Sequence, residues 1–151
     1  REVISDQSGL DGPQADSPFS ATLILGGQVR GGEPRLFLIY PEGNFVEASA
    51  DTPFFQIGET KYGKPILVRA YDAGMSFEEA VKLLMLSFDS TVKANLSVGL
   101  PLDLHVYEAD SFRQGILRRI ERDDPFFETI SSGWGEALRE AFRQLPDYSL
   151  D

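Results

Sequence analysis

Residues Thr52–Ser111 read TPFFQIGETKYGKPILVRAYDAGMSFEEAVKLLMLSFDSTVKANLSVGLPLDLHVYEADS, and the reading of this stretch decides the fold. Phe54 to Ile57 form a short apolar run with the character of a buried strand. Gly58-Glu-Thr-Lys-Tyr-Gly63 is a polar turn, and Pro65 sits where the first turn of a helix tolerates a missing N–H. Ile66, Leu67 and Ala70 share one face of that helix, and Asp72-Ala-Gly74 breaks it. Ser76-Phe-Glu-Glu79 has the form of a capping box, with the serine hydroxyl accepting the amide of the third helical position and Glu79 reaching back. Behind it, Phe77, Ala80, Val81, Leu84, Phe88 and Val92 recur at helical spacing, and Leu83, Met85 and Leu86 widen the apolar surface. The spacing predicts a helix over 76–93 that is apolar nearly all round, a pattern typical of helices buried between layers. A second polar turn, KANLSVG, follows. Short polar turns at the ends of rigid elements are good places to hold a site.

Upstream, ATLILGGQV (21–29), RLFLIY (35–40) and FVEAS (45–49) are strand candidates joined by the turns RGGEP and PEGN. Spacing this tight predicts an antiparallel meander. The continuous run LFLIY predicts a strand covered on both faces. Residues 6–18, rich in Gly, Pro, Asp and Ser, read as a flexible loop, and REVISDQSG before them reads as the tail of a helix already under way. Downstream, Leu102, Leu104 and Val106 alternate with Asp103, His105 and Tyr107, and residues 112–120 are the expected hairpin partner. Asp124-Pro125 is an N-cap and first-turn proline. Phe127, Ile130, Trp134, Leu138, Ala141, Phe142 and Leu145 then form one stripe of a terminal helix, which Pro146 ends. Strands and helices in separate blocks give an α+β chain, a single domain or domain fragment over 1–151.

The 151 residues carry a formal charge of −10, with 42% hydrophobic residues and eleven phenylalanines. An acidic chain without a basic stripe argues against a nucleic-acid partner; Arg118, Arg119 and Arg122 lie beside Glu121, Asp123 and Asp124. No apolar run approaches the roughly 20 residues that cross a bilayer, so no membrane partner is expected. The absence of cysteine removes disulfides, thiolate nucleophiles and cysteine-bound zinc, and fits a reducing compartment such as the cytoplasm.

His105 is the one histidine, and no G-x-S-x-G elbow presents a serine to it, so a Ser-His-Asp triad is not expected. Glu78-Glu79 and Asp123-Asp124 stand at helix starts, where the macrodipole accounts for them without a metal. GGQVRGG lacks the lysine-serine ending of a phosphate loop, and no cofactor is expected. Asn95 and Ser97 can project from the junction after the apolar helix, and Glu59 with Lys61 from the turn before it. On the residues alone, ordinary turn chemistry and a surface ion pair are the simpler account of them.

GNFVEASADTPFFQIGETKYGKPIL (43–67) and LSFDSTVKANLSVGLPLDLHVYEADS (86–111) resemble the bacterial proteasome-type peptidases called Anbu, relatives of proteasome β subunits among the N-terminal nucleophile hydrolases. The resemblance runs from about Phe19 to the terminal helix. It implies a four-layer αββα sandwich, with this chain as its second half. It also implies a threonine nucleophile at a mature N-terminus, whose own α-amine, assisted by a lysine, handles the proton. Residue 1 is arginine, so the nucleophile, its lysine, an early aspartate and the oxyanion donor are expected upstream, outside this chain.

Of the supporting residues, Ser97 matches a family serine that helps hold the nucleophile's amine. Ala94 stands in place of the aspartate three residues before it, with Asn95 adjacent. Gly58 matches a glycine before the first of these helices, and Glu59 stands where its neighbouring serine is usual. Catalytic support is therefore assigned to Ser97 and Asn95, binding to Gly58 and Glu59, and no metal. The implied function is that of a self-compartmentalising threonine peptidase subunit acting on peptides or unfolded protein, assembled from copies of itself in a ring or spiral. The alternative is a non-catalytic assembly or scaffold subunit of the same fold.

Overall fold

Alternating and periodic apolar residues become paired strands and capped helices in the computed structural model, which describes residues 20–150. The expected helix tail at the start and the loop over 6–18 lie outside the described residues. The element order is β1 (Leu23–Gly27), β2 (Arg35–Ile39), β3 (Phe45–Glu47), α1 (Lys64–Ala70), α2 (Phe77–Ala94), β4 (Leu102–Val106), β5 (Ile116–Ile120) and α3 (Pro125–Gln144). This is the α+β order read from the sequence. One difference is Phe54–Ile57, which joins no strand ladder; Pro53 has no N–H to donate, and Gly58, at φ 76°, turns the chain immediately afterwards.

The chain divides into two compact units. Of the described residues, the first holds those up to Gly58 together with Glu108–Arg113, and the second holds Glu59–Tyr107 and Gln114 onward. In the first unit, β1, β2 and β3 form the expected antiparallel meander, with Leu23 opposite Ile39, Leu25 opposite Phe37, and Ile39 opposite Phe45. Both faces are apolar. Leu23, Leu25, Phe37, Ile39 and Phe45 share one, with Phe37 and Phe45 edge to face at 5.7 Å; Ile24, Leu36, Leu38 and Val46 share the other. Leu36 to Ile39 are half-buried, whereas Leu23, Leu25 and Phe45 are exposed. The covering of β2 on both faces is thus only partial in this chain.

The 108–113 segment of the same unit has a backbone that sequence reading did not anticipate. Asp110 and Phe112 both have positive φ, 63° and 46°, an arrangement that costs non-glycine residues of order 1 kcal/mol or more each. Side chains from beyond β1 hold it there. Gln28 Nε2 donates to Asp110 Oδ1 at 2.8 Å, Asp110 N donates to Gln28 Oε1 at 2.7 Å, and the Arg30 guanidinium lies 4.6 Å from the Phe112 ring centre.

In the second unit, β4 and β5 form a hairpin with Leu102 opposite Ile120 and Val106 opposite Ile116. The β5 strand begins later than expected, at Ile116, because Gly115, at φ 75°, sets the turn into it. The capping box of α2 is complete: Glu79 N donates to Ser76 Oγ at 3.2 Å, and Ser76 N donates to Glu79 Oε2 at 2.9 Å. At the start of α3, Asp124 Oδ1 accepts from Phe127 N at 2.9 Å, with Pro125 in the first turn. The core is Met85, Ile120 and Phe127, closed by Val81, Leu100, Leu102, Leu104 and Ile130.

The face that α2 buries departs from the periodicity. Phe77, Leu84 and Phe88 are exposed, and the buried residues are Leu83, Met85, Ser87, Asp89 and Thr91. Gly63 explains the polar part of that face. A Cβ there would stand 3.1 Å from the Ser87 carbonyl and 3.0 Å from Thr91 Oγ1, and closer still to Ser87 Oγ. The backbone ahead of α1 therefore lies directly on α2, and only small hydroxyl side chains leave room for it. Thr91 donates its hydroxyl to the Ser87 carbonyl at 2.9 Å, and Lys93 Nζ pairs with the buried Asp89 carboxylate at 3.0 Å. Both groups are thereby satisfied in a dry setting.

Candidate functional site

The close approach at Gly63 fixes where the preceding turn can reach. Lys64 N donates to Thr60 O at 3.1 Å, which curls residues 60–64 into the start of α1. Glu59 is thereby held beside the last turn of α2. At that helix end Asn95 is the C-cap: its N–H donates to Thr91 O at 2.8 Å, and its backbone is extended, at φ −136° and ψ 113°. The next residues turn back on the Asn95 side chain, as asparagine's short amide favours.

The result is one chain of hydrogen bonds. Lys61 N donates to Glu59 Oε1 at 2.8 Å. Asn95 Nδ2 donates to Glu59 Oε2 at 2.9 Å. Asn95 Oδ1 accepts from Ser97 N at 2.9 Å and from Ser97 Oγ at 2.7 Å. Glu59 and Asn95 are half-buried, while Ser97 is exposed. The Lys61 backbone N–H and the Asn95 amide, in that order, hold the Glu59 carboxyl below the ordinary carboxylate range, with a smaller contribution from the Lys61 charge, against a desolvation that opposes them.

Three of the four residues singled out in the sequence, Glu59, Asn95 and Ser97, are thus joined by their side chains across 36 residues of chain. Gly58 is not joined to them; it ends the first unit in a left-handed backbone conformation. Lys61 enters through its backbone N–H, where the sequence suggested a charge pair. Gly63 escaped sequence reading. Its signal, a glycine immediately ahead of a short helix that packs on a hydroxyl-bearing one, is too common to stand out. His105 lies on β4, exposed, with its Nε2 against the Gln114 carbonyl. Among the described residues, no group of three or more His, Cys, Asp or Glu is placed to hold a metal ion. No described helix is long and apolar enough to cross a membrane.

Chemically, the array is an anion connected through an amide to an exposed hydroxyl. It contains no strong nucleophile and no free base, and it is suited to orienting a group brought to it.

A proteasome-subunit family model matches residues 13–103. Among solved structures, Anbu from Hyphomicrobium sp. strain MC1 is 48% identical, with a TM-score of 0.87, covering 99% of this chain and 61% of that one. Anbu, described as an ancestral beta-subunit, from Yersinia bercovieri is 49% identical, with a TM-score of 0.88 and the same two coverages of 99% and 61%. The helical assembly of the Anbu complex from Pseudomonas aeruginosa is 43% identical, with a TM-score of 0.87, again over 99% of this chain and 61% of that one. No curated protein matches the chain. The fold is therefore that of a proteasome subunit, in part. The chain belongs to the proteasome subunit family, as a protein of the Anbu type. It spans about 61% of the length of these relatives.

Proposed function

We propose that this chain is the C-terminal portion of a self-compartmentalising threonine peptidase subunit of the cytoplasm, which hydrolyses peptide bonds with a nucleophile contributed by residues outside it. The observation that carries this reading is the bridging of Glu59 and Ser97 by Asn95. Such an array has no chemistry of its own, and it fits a site completed by an N-terminal residue. In that site the threonine hydroxyl attacks the scissile carbonyl, and the α-amine takes its proton. The peptide C–N bond breaks as that proton passes to the leaving amine, and water then hydrolyses the ester. Ser97 holds the amine, and Asn95 orients Ser97. Glu59 and the backbone at Gly58 border the bound peptide. Neither a cofactor nor a metal is called for, and the substrate is a peptide or an unfolded protein rather than nucleic acid or membrane.

The relative from Pseudomonas aeruginosa that forms a helical assembly supports a subunit that packs against copies of itself in a ring or spiral. So do apolar side chains left uncovered on the terminal helix and at its end, such as Phe142 and Leu145.

A second reading, a scaffold subunit without catalysis, draws on Ala94 and Glu59, which depart from the family's aspartate and serine. Fluorogenic-peptide cleavage by the complete subunit, with and without substitution of its N-terminal threonine by alanine, separates the two. The peptidase reading expects at least a hundredfold loss in the variant. Equal cleavage by both forms removes it, and no cleavage by either leaves the scaffold reading in its place.

A further inference from the structure

Hydrogen-bond polarity gives Glu59 a role beyond bordering a peptide. An ionised carboxylate only accepts hydrogen bonds. Both Glu59 oxygens are engaged, Oε1 by the Lys61 N–H and Oε2 by Asn95. The edge of Asn95 facing Glu59 must therefore be the NH2, because a carbonyl oxygen there would meet a negative oxygen without a proton between them. With Nδ2 so committed, Oδ1 faces Ser97, where the backbone N–H independently requires an acceptor. The Ser97 hydroxyl, 2.7 Å from that same oxygen, then directs its single hydrogen at Oδ1. What remains on Ser97 Oγ is a pair of lone pairs, on an exposed side chain.

We propose that Glu59 is a positioning residue which, through Asn95, sets Ser97 Oγ as a hydrogen-bond acceptor for a protonated primary amine. The proposal rests on the function proposed above in taking that amine to be the α-amine of the nucleophile. The polarity fits the ligand: an ammonium has three donors and no acceptor, so a hydroxyl presenting its hydrogen would repel it. The carboxylate adds a favourable field along the same line, and its depressed titration keeps it ionised wherever the amine changes charge. Among the described residues, Lys61 is the only charged side chain that contributes to that depression, and its cation partly offsets the field. The chain thus carries its anion on the turn before α1, where Ala94 leaves none at the end of α2.

The difference between acceptor and donor is readable in Glu59→Gln. The new amide can keep its oxygen on the Lys61 N–H and turn its NH2 toward Asn95, where it opposes the Asn95 NH2 that the Ser97 N–H still favours; the substitution thus removes the negative charge and sets the two demands on Asn95 against each other. The test uses the complete subunit, with light scattering to establish that assembly is unchanged. The rate of N-terminal acylation by an amine-selective anhydride is followed against pH in wild type, Glu59→Gln and Ser97→Ala. The inference expects the amine's apparent pKa to fall by about half a unit or more in both variants, and the acid limb of peptide cleavage to move with it. Lys61→Met is expected to move it the opposite way.

An unchanged amine titration in Glu59→Gln, alongside a shift in Ser97→Ala, would overturn the role of Glu59 while leaving the peptidase reading intact. The same would follow if neither variant shifted and cleavage still depended on the N-terminal threonine. Loss of that threonine dependence would instead remove the parent reading. Should Glu59→Gln disturb assembly, Glu59→Asp retains the charge but shortens the reach to Asn95, and a wild-type titration in it would equally overturn the positioning role.

Discussion

At the scale of single residues, the capping box at the start of α2 acted as chemistry predicts. Ser76 and Glu79 each accept the other's backbone N–H at the start of α2, and removing the hydroxyl by Ser76→Ala is expected to cost about 1 kcal/mol. Urea unfolding of the complete subunit would register this as a lower midpoint at constant slope; an unchanged midpoint would show that the cap carries no weight there. Asn95, Ser97 and Glu59 could each be noticed in the sequence, because polar residues in turns beside an apolar helix are conspicuous. Their mutual contact could not be read. Nothing in a sequence fixes which of several turns meets another 36 residues away, and the amide of Asn95 acquires a direction only once a carboxylate is beside it. Lys61 shows the same limit, since its side chain drew attention and its backbone N–H makes the bond.

At the scale of elements, the bounds of the two long helices followed the sequence reading, while the start of β5 and the buried faces did not always follow it. The apolar spacing placed α2 at 76–93, and the structure has it at Phe77–Ala94. The same spacing predicted a helix apolar nearly all round and buried between layers, whereas Phe77, Leu84 and Phe88 are exposed and Ser87, Asp89 and Thr91 are buried with Leu83 and Met85. Hydrophobicity ranks faces by transfer energy, but here a backbone-to-helix contact at Gly63 selects for small hydroxyls. That contact yields a sharp expectation. Gly63→Ala puts a methyl group against the Ser87 carbonyl and Thr91 Oγ1, and the overpacking is expected to cost about 1–3 kcal/mol. It should also displace Glu59 from Asn95, so peptide cleavage should fall along with the thermal midpoint. A variant with wild-type midpoint and cleavage would mean that the turn does not need to lie this close.

At the scale of the whole molecule, few apolar side chains are fully buried among the described residues, and large ones such as Leu23, Leu25, Phe45, Leu138, Phe142 and Leu145 are exposed. The chain spans about 61% of the length of its relatives, and a sheet with two apolar faces is what such a span of a layered subunit presents. The central claim is that Ser97, backed by Asn95 and Glu59, supports a nucleophile carried elsewhere in the subunit. Its most direct test is the rate at which a threonine-directed electrophile labels the complete subunit, followed by intact mass and compared between wild type and Ser97→Ala. The account predicts one adduct per subunit, located on the N-terminal threonine, forming at least tenfold more slowly in the variant. Labelling at the same rate in both proteins, or an adduct on any other residue, would contradict it.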